Sequence, residues 1–200
     1  MTDQSLFTRI DRVESNLAIQ QLAARYALAV DSKDVDGVVS LFVEDVNAGR
    51  SWGVGREALR RFYQDALSRF YRSMHLIAGH VITFDDAHRA RGVVHCRAEH
   101  EAGTQWGIMV MSYKDDYERH EDTWYFRRRR LQPLYTTDIL SRPKGPGFLR
   151  GWAEDGGDSS EGEAARLPGE FPTFTAYWRG FPSDQVARLT ADPIEPPAED

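Results

Sequence analysis

The order in which two hydrophobic periodicities occur constrains this chain more than any single motif. Segments with a 3.6-residue apolar repeat come first, and segments that alternate every two residues follow. Over residues 13–31, Ile19, Leu22, Ala23, Tyr26 and Val30 share one helical face. The polar SKD then interrupts the repeat. Asp34 is placed to cap a short helix carrying Val35, Val38, Val39 and Phe42. A turn or short strand over residues 46–55 leads to a third helix, 56–72, whose apolar face is Leu59, Phe62, Tyr63, Ala66 and Phe70.

From Ser73 the texture is that of strands. HLIAGHVITF and RARGVVHCRAEHE flank the turn DDAH, and QWGIMVMSY and TWYFRRRRLQPLY flank the polar connector KDDYERHED. Helices first and adjacent strands afterwards predict an α+β fold, with the helices packed on a largely antiparallel sheet.

Charge marks a boundary within the chain. The net charge is −6, yet residues 150–200 hold 11 acidic and 4 basic side chains against 20 and 21 in residues 1–149. Eight of the 9 prolines fall after residue 140. These shifts predict a body over 1–140 and a Pro/Gly-rich acidic extension over 141–200. The aromatic FPTFTAYWRGF of that extension is expected to pack on the body or on a neighbouring subunit. A nearly neutral body lacks the clustered Lys and Arg that a nucleic-acid binder needs. No apolar run reaches the roughly 18 residues of a membrane-spanning helix, and the polar N-terminus is unlike a secretion signal. The single cysteine, Cys96, excludes an internal disulfide and a cysteine-clustered zinc site. A cytoplasmic protein is the expectation.

The histidines raise the question of a metal, and strand geometry argues against one. His75 and His80 are five residues apart, as are His95 and His100. On a strand an odd spacing sends two side chains to opposite faces. No metal site is therefore expected. The same parity places Ala90, Gly92, Val94, Cys96, Ala98 and His100 on one small, apolar face and His95 on the other. His100 points inward; His75, in a strand apolar on both faces, is not placed by parity. In the basic run, Arg127 and Arg129 are expected on one face and Arg128 and Arg130 on the other, one of them being a candidate anion or oxyanion partner. Gly53-x-Gly55-x-x-Ala58 imitates a dinucleotide fingerprint. The segment before it is polar and no βαβ series follows, so it reads as a turn and helix cap. No G-x-S-x-G elbow occurs and Cys96 lies mid-strand, which favours a carboxylate–histidine pair over a nucleophile. Asp31 stands where the first helix ends, a position the helix dipole makes unfavourable for an anion.

RYALAVDSKDVDGVVSLFVEDV, WGVGREALRRFY, SMHLIAGHVIT and the pattern Trp124-x-Phe126-x-x-Arg129-x-Leu131 follow one another across residues 10–140. Together they resemble the SnoaL-like, nuclear-transport-factor-2-like superfamily. The resemblance implies a cone: a curved sheet wrapped around a deep pocket and closed by the N-terminal helices. The chain is similar to dehydratase members such as scytalone dehydratase and bile acid 7α-dehydratase, with the hexachlorocyclohexane dehydrochlorinases as further relatives. These use an Asp–His pair and no cofactor. The catalytic Asp of that pattern falls on Asp31 in VDSKD and the catalytic His on His75 in SMH. A second pocket histidine falls on His100, and a tyrosine before the Asp falls on Tyr26. Where such enzymes carry further acids or tyrosines this chain has Val30, Arg50 and Arg97, so the leaving-group acid stays open.

The resemblance thus implies a cofactor-independent lyase, most simply a dehydratase, acting on an aromatic or polycyclic hydroxylated small molecule. Asp31 would orient His75, His75 would remove a proton, and His100 and Tyr26 would hold an oxyanion or protonate the leaving group. Phe62, Trp106 and Met109 are the expected apolar lining, and Arg129, the arginine of the family pattern, is expected to bind the substrate beside them. Three alternatives stand beside it: release of formaldehyde from a lignin-derived diaryl alcohol, isomerisation or polyketide cyclisation by the same pair, and ligand binding without catalysis. A homo-oligomer is also implied, a trimer ahead of a dimer.

Overall fold

The structure, a computed structural model, describes residues 3–102 and 105–138, and beyond them only Arg179 and Asp184. The chain divides into residues 1–165 and 166–200, and the expectations for the extension over 141–200 lie outside the described residues. Three helices come first: α1 (Asp3–Asp31), α2 (Val35–Ser40) and α3 (Arg56–Ser68). The strands β1 (Arg72–Phe84), β2 (Arg89–Ala102), β3 (Gln105–His120) and β4 (Thr123–Asp138) follow. They form one open antiparallel sheet in the order β1-β2-β3-β4.

The apolar faces read from the sequence meet in one core. Ile19, Ala23, Tyr26 and Val30 of α1 join Val38, Phe42, Leu59 and Tyr63 against Val94, Cys96, Ala98, Met109 and Tyr113 of the sheet. Helix α1 starts at Asp3, ten residues before the expected start at residue 13. Leu6, Ile10, Val13 and Leu17 are exposed, so no buried stripe marks these turns. They are held by Asp11, paired with Arg119 at 2.7 Å, and by Arg12, stacked over Phe84 at 4.0 Å. Asp34 caps α2 by accepting the Gly37 N–H at 2.8 Å. Gly55 caps α3 at φ 98°, a left-handed conformation that suits glycine. Residues 46–55 hold a single bridge, Asn47 to Val54. No helix among the described residues is long and apolar enough to cross a membrane.

Strand β2 alternates without a break, with Ala90, Gly92, Val94, Cys96, Ala98 and His100 buried. Its neighbours do not. In β1 the register shifts between Ile77 and His80, so Ala78 and Gly79 are both exposed and His80 turns back inside with His75. The opposite-face expectation for that pair is thereby corrected. The two rings still sit opposite Ala98 and Val94, about 13 Å apart by strand rise, too far to share an ion. In β4 Arg127 is the extra residue of a second bulge. Arg127 turns outward to Asp45 and Glu118 while Arg129 points in, so the two do not share a face as expected.

The segment KDDYERH, expected as a connector, is strand. β3 runs to His120 and only Glu121 and Asp122 turn the chain, Glu121 with φ 54°. Its polar look has a physical cause: Asp115 and Tyr117 point inward, where the interior is itself polar.

Candidate active site

Helix α1 ends at Asp31, and the start of β1 supplies what that carboxylate needs. Asp31 Oδ1 lies 2.6 Å from His75 Nδ1 and accepts from Ser73 Oγ at 3.0 Å, while Oδ2 accepts the His75 peptide N–H at 2.7 Å. Partial burial works to raise the carboxyl. The hydrogen bonds from the His75 ring and peptide and from Ser73 outweigh it and hold Asp31 below the usual carboxylate range. An ionised carboxylate can only accept, so Nδ1 carries the hydrogen, and in the neutral ring the lone pair is then on Nε2. The pair is recessed without being sealed, with side chains 7% (His75) and 18% (Asp31) exposed.

His100 stands beside this pair. Its ring centroid is 5.5 Å from that of His75, nearly perpendicular to it, and 4.4 Å from that of Phe70. Burial, then the neighbouring His75, push the His100 ring down to about 4; Lys33 adds to the fall and Asp31 opposes it. His100 is therefore a neutral hydrogen-bonding group near pH 7. Met109, fully buried, pairs with Ala98, which itself pairs with His75. Met109 thus lies in the same layer of the interior. Burial pushes the Cys96 thiol up to about 11, so it is not a thiolate nucleophile.

Tyr26 and Arg129 occupy a deeper layer. The Tyr26 hydroxyl meets that of Tyr63 at 3.3 Å, and the Arg129 guanidinium lies 4.3 Å from the Tyr26 ring and 4.1 Å from that of Tyr113. Arg129 donates Nε and Nη2 to Asp115 at 3.0 and 2.7 Å. Burial works against the guanidinium charge, but Asp115 outweighs it and holds Arg129 above its ordinary value. Tyr117 donates to Asp115 at 2.9 Å and meets His80 Nε2 at 3.0 Å. Neither Tyr26 nor Arg129 is hydrogen-bonded to Asp31 or His75. Asp115 and Tyr117 are absent from the residues picked out in the sequence, and His80 figures there only as a metal partner of His75 that the spacing argues against. Continuing the inward alternation of β3 from Met109 through Tyr113 would have found the first two.

Two expected lining residues stand elsewhere. Phe62 is half-buried on α3 between the rings of Trp52 and Tyr63. Trp106 lies on the outer face, 40% exposed, its indole N–H donated to Glu99 at 3.0 Å. Being three residues from Met109, it takes the opposite face of β3. Among the described residues a cleft of about 860 Å³ opens at the far end of the sheet from Asp31 and is lined by Arg56, Arg91, Tyr117, Tyr125 and Arg127. Arg91 and Arg127 in it are already paired, with Asp85 and Asp45. No group of three or more His, Cys, Asp or Glu among the described residues is placed to hold a metal ion.

The same arrangement of helices and sheet occurs in known structures. LinA shares 23% identity at a TM-score of 0.61, covering 70% of this chain and 99% of its own. The hexachlorocyclohexane dehydrochlorinase LinA-type3 from Novosphingobium barchaimii LL02 shares 21% at 0.60, covering 70% and 99%. A protein assigned as a scytalone dehydratase from Novosphingobium aromaticivorans shares 24% at 0.58, covering 69% and 96%. At these identities it is the fold, of the nuclear-transport-factor-2 type, that is shared. Among curated proteins no match was found. The SnoaL-like domain family matches residues 11–130, which include α2, α3 and most of α1 and the sheet. The chain belongs to the SnoaL-like domain family.

Proposed function

We propose that this protein is a cofactor-independent lyase in which Asp31 and His75 drive an elimination, most simply loss of water, from an aromatic or polycyclic hydroxylated small molecule. One observation carries the reading: the 2.6 Å contact from Asp31 Oδ1 to His75 Nδ1. It leaves Nε2 as the basic atom and places a carboxylate where positive charge develops on the ring. His75 Nε2 takes a proton from the substrate, and the electrons of the broken bond form the new double bond as the hydroxyl leaves. The departing hydroxyl takes up the proton held on His75, directly or relayed through another group, so that water leaves and the neutral ring is restored. The neutral His100 is placed to steady the departing hydroxyl or an oxyanion. The balance closes without an oxidant or reductant. Met109, Phe70 and the small face of Ala98 and Cys96 offer an apolar surround suited to a ring system. Tyr26 and Arg129 shape the floor of the interior. Two structural neighbours, a dehydratase and a dehydrochlorinase, are named for eliminations.

The test is turnover of a panel of hydroxylated aromatic and polycyclic compounds, with products followed by mass spectrometry. His75→Ala and Asp31→Asn each lower the rate by about 10²–10⁴-fold while the circular dichroism spectrum is retained. Near-wild-type turnover in either variant contradicts the mechanism. A product of unchanged mass makes the protein an isomerase, and loss of formaldehyde makes it a carbon–carbon lyase, both on the same pair.

A further inference from the structure

Each residue of DSKD, the turn between α1 and α2, has a separate task. Asp31 holds His75, Ser32 Oγ bonds back to the Leu28 carbonyl at 2.7 Å, and Asp34 caps α2. Lys33 sits at φ 58°, the left-handed conformation that closes a helix and favours glycine or asparagine. Its peptide N–H bonds the Val30 carbonyl at 3.1 Å, a bond that glycine would make equally well. The reason for lysine lies in its side chain.

The Lys33 ammonium reaches the end of α3 and donates to the carbonyls of Leu67 and Phe70, each at 2.5 Å. A helix C-terminus presents unpaired carbonyls and the negative end of its dipole, both of which attract a cation. Phe70, held by that bond, is buried with its ring against His100, and His100 faces His75. One ammonium therefore ties the turn that carries Asp31 to the segment that carries Phe70.

We infer that Lys33 is a positioning residue of the Asp31–His75 site: it clamps Phe70 over His100 and so fixes where the second histidine stands relative to the first. Its kinetic consequence rests on the proposed elimination, whereas its effect on His100 does not. Among the described residues, the titratable and charged groups that act on His100 include His75 of β1, Asp31 at the end of α1, and Lys33 itself. Removing the cation and loosening Phe70 both ease protonation of the ring, so both act in one direction.

Lys33→Gly suits the left-handed backbone and removes the ammonium; Lys33→Asn does the same with a second side chain; Lys33→Arg keeps the cation. In an NMR titration of the full chain, His100 of the wild type is expected to titrate well below an ordinary histidine, at about 4. It rises by about one unit in the glycine and asparagine variants and stays close to wild type in the arginine variant. With a substrate that the wild type turns over, the first two variants lower kcat about tenfold with KM little changed, and arginine restores it. Unchanged His100 titration in both neutral variants overturns the inference. So does unchanged kcat beside a His75→Ala variant that has lost activity. If His75→Ala remains active, it is the elimination that fails, and the His100 titration still decides whether Lys33 sets the geometry.

Discussion

Asp31 and Asp115 each hold a nitrogen partner at hydrogen-bond distance inside the same sheet, 2.6 Å for His75 and 2.7 Å for Arg129. Their surroundings differ. At Asp31 the two side chains keep 18% and 7% exposure, while at Asp115 they keep 0% and 3%. Histidine can gain and lose a proton near neutral pH, and arginine cannot. The accessible pair is thus suited to proton transfer. The sealed pair is fixed in charge and must be satisfied by its neighbours, Tyr117 above Asp115 and the rings of Tyr26, Tyr113 and Phe126 around Arg129. One interior holds both, layered along the strands.

The sharpest way to break this distinction is to remove one acid at a time. Asp115→Ala strands a buried guanidinium and lowers stability by about 3–5 kcal/mol in urea denaturation. Asp31→Asn keeps the shape of a more exposed site and costs about 1 kcal/mol, although it lowers turnover by about 10²–10⁴-fold. Equal losses from the two would erase the contrast. Replacing both sealed partners, Asp115→Leu with Arg129→Met, recovers most of the loss, because no charge is then left unpaired.

A smaller effect comes from Gly92. His80 and Tyr117 meet across it, and an added Cβ would lie 2.9 Å from the Tyr117 ring and 3.1 Å from His80 Nε2. Gly92→Ala therefore costs about 1–3 kcal/mol by overpacking the deep layer, measurable by the same denaturation. The NMR signals of His75, at the other end of the strands, are unmoved. A neutral Gly92→Ala would mean that the deep contact is loose.

The parts of the fold that were legible in the sequence are those where one simple repeat governs. β2 alternates without interruption, and the inward face from Ala90 to His100 follows directly. The α1 core stripe and the Asp34 cap are of the same kind. Reading by parity failed where the chain carries an extra residue, at Ala78–Gly79 and at Arg127, because a bulge flips every side chain beyond it. Both bulges aim functional-looking groups, His80 and Arg129, into the interior. KDDYERH was illegible as strand for a different reason: hydrophobic alternation presupposes an apolar core, and here Asp115 and Tyr117 face a polar one. Trp106 shows the remaining gap, since counting from Met109 already placed it outside. Asp31 and His75 were identified by resemblance rather than by parity. Their meeting depends on a helix end and a strand start that lie 44 residues apart in sequence.

The claim on which the account turns is that His75 offers a bare Nε2 because Asp31 holds Nδ1–H. Nitrogen-15 NMR of the neutral His75 ring reads this directly, in the wild type and in Asp31→Asn. The account predicts a protonated Nδ1 and an unprotonated Nε2 in the wild type, with that preference lost in Asp31→Asn. A wild-type ring protonated at Nε2, or identical signals in the two proteins, would contradict it.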